Sequence, residues 1–315
     1  MITKSLAVVI PAYKASFLKA TLDSIAAQTC QDFTLYIGDD CSPHNLKNIV
    51  DGYKDKIDLV YKRFDTNLGG RDLVAQWERC IAMTKEEPYI WLFSDDDVME
   101  PKCVEAFLNL PEQIRNGYIV HFPIKQIDEK GDVIKTPISY PERMSAKGYL
   151  DAKLFQKGII SYVVEFVFPR HIYKKTSGFQ NYDLAWGSDF MTWLKFAEAC
   201  NGIYTINLEE AYVRWRSSSE NISPNKSRDI QIRKIKSQIE VAEYVKQFLI
   251  RNCYDYKFRY ARFVLGDIKR SVPSFRFSDI VSLCNLFRRK IGYHLQTALA
   301  LFVIILLKTK NVLIH

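Results

Sequence analysis

Three consecutive aspartates, Asp95-Asp96-Asp97, follow the apolar run Tyr89-Ile90-Trp91-Leu92-Phe93 and one serine, Ser94. Three like charges on adjacent residues repel one another, and the end of a hydrophobic strand favours them only if a cation neutralises them. Hard oxygen ligands suit Mg²⁺ or Mn²⁺, which are held by one or two carboxylates together with substrate phosphates. The segment proposes a divalent-cation and diphosphate site at a sheet edge. Read alone, it is equally a solvated acidic loop before the helix that follows Pro101, since a helix N-terminus also welcomes carboxylates.

A second group with chemical potential is Asp189, in Trp186-Gly187-Ser188-Asp189-Phe190 at the start of a helical pattern. A carboxylate there can take a proton from a hydroxyl nucleophile, or it can simply favour the helix N-terminus. Asp183 and Glu165 are further base candidates. Pro11-Ala12-Tyr13, Asp39-Asp40 and Asn67-Leu68-Gly69-Gly70-Arg71 supply polar turns between apolar segments, and Arg214 and Arg216 suit phosphate geometry.

The elements that would position these residues alternate. Leu6–Ile10 is an unbroken apolar run ended by Pro11, the pattern of a strand buried on both faces. Ser16 opens a helical pattern with Leu18, Leu22, Ile25 and Ala26 on one face. Strands follow over Phe33–Ile37, Leu59–Lys62 and Tyr89–Phe93. Helices are expected over Asn45–Tyr53, with Ser42 as its cap and Pro43 at its first position, and over about Arg71–Met83. Such alternation implies a mostly parallel sheet, whose ligands bind beyond the carboxyl ends of the strands. All four polar turns fall there. Further on, Ile124–Ile134 reads as a hairpin around Glu129-Lys130-Gly131-Asp132, Ser161–Phe168 as an apolar run containing Glu165, Gly187–Ala199 as a helix and Ile203–Asn207 as a late strand.

With 315 residues, 48% hydrophobic and 25% charged, the chain has an ordinary globular composition, which excludes long disorder. Its seven cysteines form no CxxC pair, so neither a zinc ribbon nor a disulfide framework is expected. Met1–Ser5 leads directly into a strand-like run and does not read as a signal peptide; a cytoplasmic setting is expected. The net charge of +8 is uneven. From Lys226 onward there are about eighteen Lys and Arg against about six Asp and Glu, and residues 1–225 are mildly acidic. In that basic part Tyr254, Tyr256, Phe258, Tyr260 and Phe263 interleave with Lys257, Arg259 and Arg262. The run Ala298–Leu307 is apolar for about ten residues, short of the ~20 needed to span a bilayer. Basic, aromatic and apolar character together suggest attachment to an anionic membrane surface. Nucleic acid offers no role for the apolar run.

The string Val8-Val9-Ile10-Pro11-Ala12-Tyr13-Lys14, then Ser24–Thr29, then Phe33–Ser42, and finally Phe93–Asp97 with Pro101, resembles family 2 glycosyltransferases over roughly residues 5–225. The resemblance implies an α/β fold of the GT-A type: a Rossmann-like, mostly parallel sheet fused to a smaller mixed sheet, followed here by a helical C-terminal region. Residues 1–225 would form the enzyme domain, with a nucleotide half over 1–123 and an acceptor half over 124–225; residues 226–315 would form the basic helical region. It further implies an inverting transfer of one sugar from a UDP-sugar, assisted by Mn²⁺ or Mg²⁺, to a glycan or lipid-linked acceptor in bacterial surface-polysaccharide synthesis at the inner face of the membrane.

By the same resemblance Asp96 is the metal ligand and Asp95 contacts the ribose, donor sugar or metal shell, while Asp97 supports the loop. Pro11, Ala12 and Tyr13 frame the base and ribose, and Asp40 reads the uracil N–H. Asn67, Gly69 and Arg71 lie near the nucleotide. Asp189 is the base, and Arg214 or Arg216 pairs with the diphosphate. Four positions depart from the family pattern: Ser94 replaces an acidic residue, Cys41 a glycine and Trp215 a histidine, and Ala211 stands where processive synthases have glutamine. Two other functions fit the sequence less fully. A sugar-phosphate nucleotidyltransferase would carry a Gly- and Arg-rich loop after the first strand, and a non-catalytic nucleotide-sugar-binding protein would have no need of both Asp96 and Asp189.

Overall fold

The computed structural model describes residues 4–156, 159–221, 225–255 and 259–292. They divide into two compact units, one within Met1–Asn181 and Ser188–Ser219, the other within Tyr182–Gly187 and Glu220–His315.

The first unit is built on an eight-stranded sheet. Its nucleotide-side strands are β1 (Leu6–Ala12), β2 (Phe33–Asp39), β3 (Leu59–Arg63) and β4 (Tyr89–Leu92), all parallel, in the order β3-β2-β1-β4. Leu6 to Ile10 and Tyr89 to Leu92 are buried, which is why these strands read as continuous apolar runs. Helices α1 (Leu18–Ala26), α2 (Leu46–Asp51) and α3 (Leu73–Ile81) connect them. The cap of α2 differs from expectation. Asn45 accepts from Asn48 N at 3.2 Å, while Ser42 Oγ donates to Tyr13 O at 2.6 Å. Ser42 Oγ also accepts from His44 N at 3.1 Å and so closes a turn ahead of the helix rather than capping it, and α2 starts three residues after Pro43. Asp72 caps α3, accepting from Ala75 N at 2.9 Å.

A short strand β5 (Val98–Met99), helices α4 (Cys103–Leu108) and α5 (Glu112–Gly117), and strand β6 (Ile119–His121) follow. The expected hairpin is present as β7 (Ile124–Ile127) and β8 (Val133–Lys135), paired antiparallel. Next come β9 (Arg143–Met144), α6 (Ala146–Phe155), a 3₁₀ turn over Val163–Glu165, β10 (Phe166–Pro169), α7 (Arg170–Lys175), α8 (Ser188–Ala199), β11 (Ile203–Thr205) and β12 (Val213–Arg216). Strand β10 inserts antiparallel between β4 and β6, so β6 runs in the same direction as β4, and β11 is parallel to β6. The carboxyl ends of β1, β2, β4, β6 and β11 therefore share one rim. Strands β5, β12, β7 and β8 form a second, four-stranded sheet. Trp91 joins the layers: its ring stacks on Phe122 at 4.6 Å and its Nε1 donates to Val164 O at 2.7 Å.

The second unit holds a long helix, α9 (Arg228–Arg251), with α10 (Arg262–Ser271) and α11 (Phe277–Ile291). Arg228 clasps the Asp279 carboxylate with Nε at 2.8 Å and Nη2 at 2.6 Å, tying α9 to α11. Arg233 does the same to Asp183, and the Lys234 ammonium sits 4.4 Å from the Trp186 ring. Gly187 has φ +90°, and a Cβ there would meet Val241 of α9 at 2.7 Å. Among the described residues no helix is long and apolar enough to cross a membrane. The apolar run Ala298–Leu307 lies outside the described residues, as do Tyr256 to Phe258.

Candidate active site

The three aspartates follow the end of β4 and are all buried, at 5%, 6% and 2% exposure for Asp95, Asp96 and Asp97. Their environments differ. Asp95 Oδ2 accepts from the backbone N–H of Tyr13 and of Lys14, each at 2.7 Å, fastening the β4 rim to the β1 rim. Asp97 is held through both oxygens: Ser94 Oγ donates to Oδ2 at 2.6 Å and Arg216 N to Oδ1 at 2.6 Å. Ser94 thus closes the turn, its hydroxyl also accepting from Asp97 N at 3.2 Å. Asp96 meets the Lys14 ammonium, Oδ2 to Nζ at 2.5 Å.

Burial, and after it the Asp96 charge, pushes the Asp95 carboxyl up to about 6, and the same two causes raise Asp97 well above the usual carboxylate range. Burial also works against the Lys14 ammonium, but the charges of Asp96, Asp95 and Asp97 outweigh it and hold the proton on. Lys14 is therefore the internal counter-charge of the cluster.

This donor set fits a divalent cation of the Mg²⁺ or Mn²⁺ kind. Asp96 offers a carboxylate paired with a lysine side chain that is 25% exposed, and Asp95 Oδ1 has no hydrogen-bond partner among the described residues. Among the described residues no three His, Cys, Asp or Glu side chains cluster to hold a metal unaided.

Asp40, 3% exposed, accepts from Leu68 N and Gly69 N at 2.7 Å each and pairs with the Arg79 guanidinium. A Cβ on Gly69 would lie 2.7 Å from Asp40 Oδ2, so a larger residue there would push the carboxylate out of this position. Three of the roughly four acceptor positions of the carboxylate are thus filled. Asn67 Oδ1 accepts from Gly70 N at 2.7 Å and shapes the same turn. Arg71 is exposed beside it. Pro11 and Ala12 form the end of β1, Ala12 O receives Asp40 N at 2.8 Å, and Tyr13 is 41% exposed at the rim. Asp39 is internal, accepting from Ser42 N, Tyr61 Oη and Arg63 Nη1.

The arginines of β12 have separate surroundings. Arg216 is buried, donating from Nε to Asp96 O at 2.8 Å and from Nη1 to Asp128 O and Glu129 O at 2.9 and 3.1 Å. It brackets the aspartate turn against the hairpin. Arg214 Nε lies 2.8 Å from Glu100 Oε1, off the donor direction, so the contact is an ion pair rather than a hydrogen bond. Trp215 stacks on Tyr162 at 4.1 Å.

Asp189 is half-buried in the first turn of α8, with Oδ1 accepting from Phe190 N at 2.7 Å. Burial raises its carboxyl above the usual range, and the Lys153 charge opposes the shift. Glu165 is buried against His121, Oε2 to Nε2 at 3.1 Å, and burial pushes it far up and the imidazole down to about 3. Asp183 is exposed, in the second unit, and paired with Arg233. The sequence reading missed Lys14 as counter-charge, Arg79 as partner of Asp40, and His121 and Lys153. For Lys14 a signal existed: three buried acids demand a cation, and Lys14 ends the first rim motif.

The family described as "Glycosyl transferase family 2" matches residues 7–176. An uncharacterized glycosyltransferase of Rickettsia typhi is 27% identical over 192 residues, 60% of this chain and 57% of the relative, and one of Haemophilus influenzae is 26% identical over 148 residues, 46% and 48%. The chain thus spans about half the length of these curated relatives. Among solved structures, S. aureus TarS 1–349 in complex with UDP-GlcNAc superposes with a TM-score of 0.52 at 13% identity, covering 88% of this chain and 83% of that one. The mannosyltransferase PcManGT from Pyrobaculum calidifontis, in complex with GDP-Man and Mn²⁺, gives 0.52 at 10% identity over 99% and 88%. These likenesses are of fold. The match of the family over more than half of the sequence, on a sheet of this topology, identifies the chain as a glycosyltransferase of family 2 with the GT-A fold.

Proposed function

We propose that the protein moves a single sugar from a UDP-sugar to a glycan acceptor carried on a lipid, with inversion at the anomeric carbon, in the synthesis of a bacterial surface polysaccharide. The observation that carries this reading is the pairing of two kinds of carboxylate on one compact unit. The cluster at the end of β4 is tuned to hold positive charge through Asp96, while Asp189 heads α8 with a raised carboxyl pKa. That two fold relatives hold UDP-GlcNAc or GDP-Man supports a nucleotide-sugar donor.

In this reading Pro11, Ala12 and Tyr13 frame the base and ribose, and Asp40 uses its remaining acceptor position for the uracil N–H. Asn67 and Gly69 shape the turn that carries Arg71 to the phosphates. Asp96, with Asp95 beside it, would hold Mn²⁺ or Mg²⁺, which when bound supplies Lewis-acid stabilisation of the departing diphosphate. Lys14, released from Asp96, adds its charge to the same oxygens, and Arg214 lies on the strand beside them. Asp189 takes the acceptor hydroxyl proton as the new C–O bond forms and the sugar–phosphate bond breaks with its electron pair on the diphosphate. Arg216 keeps the aspartate turn in place. Residues 1–225 would form the enzyme domain, with nucleotide and acceptor halves meeting near residue 123. Residues 226–315 would hold it at the inner face of the membrane, where a lipid-linked acceptor resides.

The test is incubation of purified protein with Mn²⁺ and a panel of UDP-, GDP- and dTDP-sugars, reading nucleotide release and product mass. Release of UDP with sugar transfer is the expected result. Consumption of added pyrophosphate, with formation of a nucleoside triphosphate and a sugar 1-phosphate, would make the chain a nucleotidyltransferase, and preference for GDP or dTDP would remove the uracil assignment.

A further inference from the structure

A cavity of about 440 Å³ opens within the first unit, away from the aspartate cluster. Its wall includes His121, Glu165, Tyr140, Tyr212, Lys125 and Asn207. His121 ends β6, and Asn207 follows β11 by two residues. Both strands run parallel to β4, so the cavity lies on the rim that carries Asp95. Strand β6 is two strands from β4, which places His121 on the order of 10 Å across the sheet from the β4 end. That separation is of the order of one or two sugar rings.

The wall combines what a sugar ring presents. Pro123, Ile138 and the tyrosine rings give apolar surface for C–H faces. Lys125, Asn207 and Glu209 give a rim of donors and acceptors with no net charge, and the Lys125 ammonium is drawn over the Tyr212 ring at 3.8 Å. Few polar groups on an apolar wall of this volume is the make-up of a small-molecule site. The balance of charge disfavours a phosphate and favours a neutral ligand.

The base of the cavity adds an independent observation. His121 is fixed by Glu165 at Nε2 and by a parallel stack on Tyr140 at 4.1 Å, but its buried Nδ1 has no hydrogen-bond partner among the described residues. An unsatisfied buried ring nitrogen is costly, and each such case in a native fold calls for an explanation. Solvent does not reach Nδ1, so a ligand hydroxyl would meet it through a flip of the ring that keeps the Tyr140 stack and gives up the Glu165 bond. We infer that this cavity binds one neutral sugar residue of the acceptor glycan, with His121 reading a hydroxyl. The inference rests on the glycosyltransferase reading for the word acceptor, and on the cavity alone for the sugar.

The experiment is titration of the full chain with the methyl glycosides of glucose, galactose, mannose and N-acetylglucosamine, and with glucose 6-phosphate, followed by saturation-transfer NMR and by the imidazole ¹⁵N signals of His121. UDP is titrated separately by thermal shift. At least one glycoside should bind in the absence of nucleotide and move the Nδ1 resonance. The exposed-rim variant Asn207→Trp, which fills the mouth, should weaken it about tenfold or more, and His121→Gln should weaken it comparably. Absence of binding by all four glycosides, equal binding by Asn207→Trp, or preference for glucose 6-phosphate each overturns the proposal. UDP binding without glycoside binding removes the cavity proposal and leaves the donor site standing; glycoside binding without UDP binding does the reverse.

Discussion

The ammonium nitrogen of Lys14 lies 2.5 Å from Oδ2 of Asp96, a residue 82 positions later in the chain. A lysine at the end of the first strand therefore neutralises the acid best placed to hold a cation. A divalent ion bound through Oδ2 of Asp96 would have to displace that ammonium. Lys14→Met should lower stability in excess chelator by about 1–3 kcal/mol, because three buried carboxylates lose their counter-charge. Added Mn²⁺ should then raise the melting temperature of the variant more than that of the parent. Thermal melts with and without Mn²⁺ decide it; equal Mn²⁺ responses in both proteins would show that Lys14 and the ion do not compete.

Asp189 must be ionised to accept a proton, and burial has raised its pKa. The acid limb of kcat/KM should accordingly fall above the ordinary carboxylate range. The sign for stability is opposite to that for activity. A carboxyl whose folded pKa is raised favours folding below its unfolded value and loses that contribution as pH rises through the folded one. Asp189→Asn should abolish transfer and retain UDP binding, and at neutral pH it should melt no lower than the parent. Transfer within a few-fold of the parent would move the base elsewhere.

For Asp40 the expected loss is structural as well as functional. Its carboxylate satisfies two backbone N–H groups and Arg79, so Asp40→Ala should cost about 3 kcal/mol of stability even without nucleotide. Urea melts without nucleotide measure this. An unchanged midpoint would mean that the Asn67–Gly70 turn holds itself.

Arg216 donates to three backbone carbonyls. Arg216→Lys should lower the melting temperature with and without UDP while changing the UDP affinity of the folded protein little, since one ammonium cannot reach three divergent acceptors. A tenfold loss of UDP affinity at unchanged melting temperature would instead make Arg216 a phosphate ligand.

Membrane attachment can be tested on α11. That helix leaves Phe277 55% and Val281 38% exposed, one turn apart, and carries exposed Arg288 and Arg289. The full chain should sediment with phosphatidylglycerol vesicles in low salt and less so in high salt. The pair Arg288→Glu with Arg289→Glu should weaken binding by tenfold or more, at about 1 kcal/mol for each basic residue lost near an anionic surface. Undiminished binding by the double variant would take α11 out of the contact.

What the sequence determined by itself was local. Continuous apolar runs marked β1, β2 and β4, because strands covered on both faces need no alternation, and helical spacing marked α1 and α8. The polar turns that follow those strands gave the rim motifs and, with them, the family. The tertiary structure decided which polar atoms meet. Lys14 with Asp96, Arg216 with Asp97 across 119 residues and His121 with Glu165 across 44 have no periodic signature, because such contacts depend on strand order rather than on neighbours in sequence. Strand order was itself hidden: β10 enters antiparallel between β4 and β6, and an apolar run carries no sign of its direction. The fate of Ser42 shows the same limit. It stands where a helix cap is expected, but its hydroxyl joins Tyr13 O to His44 N across the rim, and Asn45 caps the helix instead.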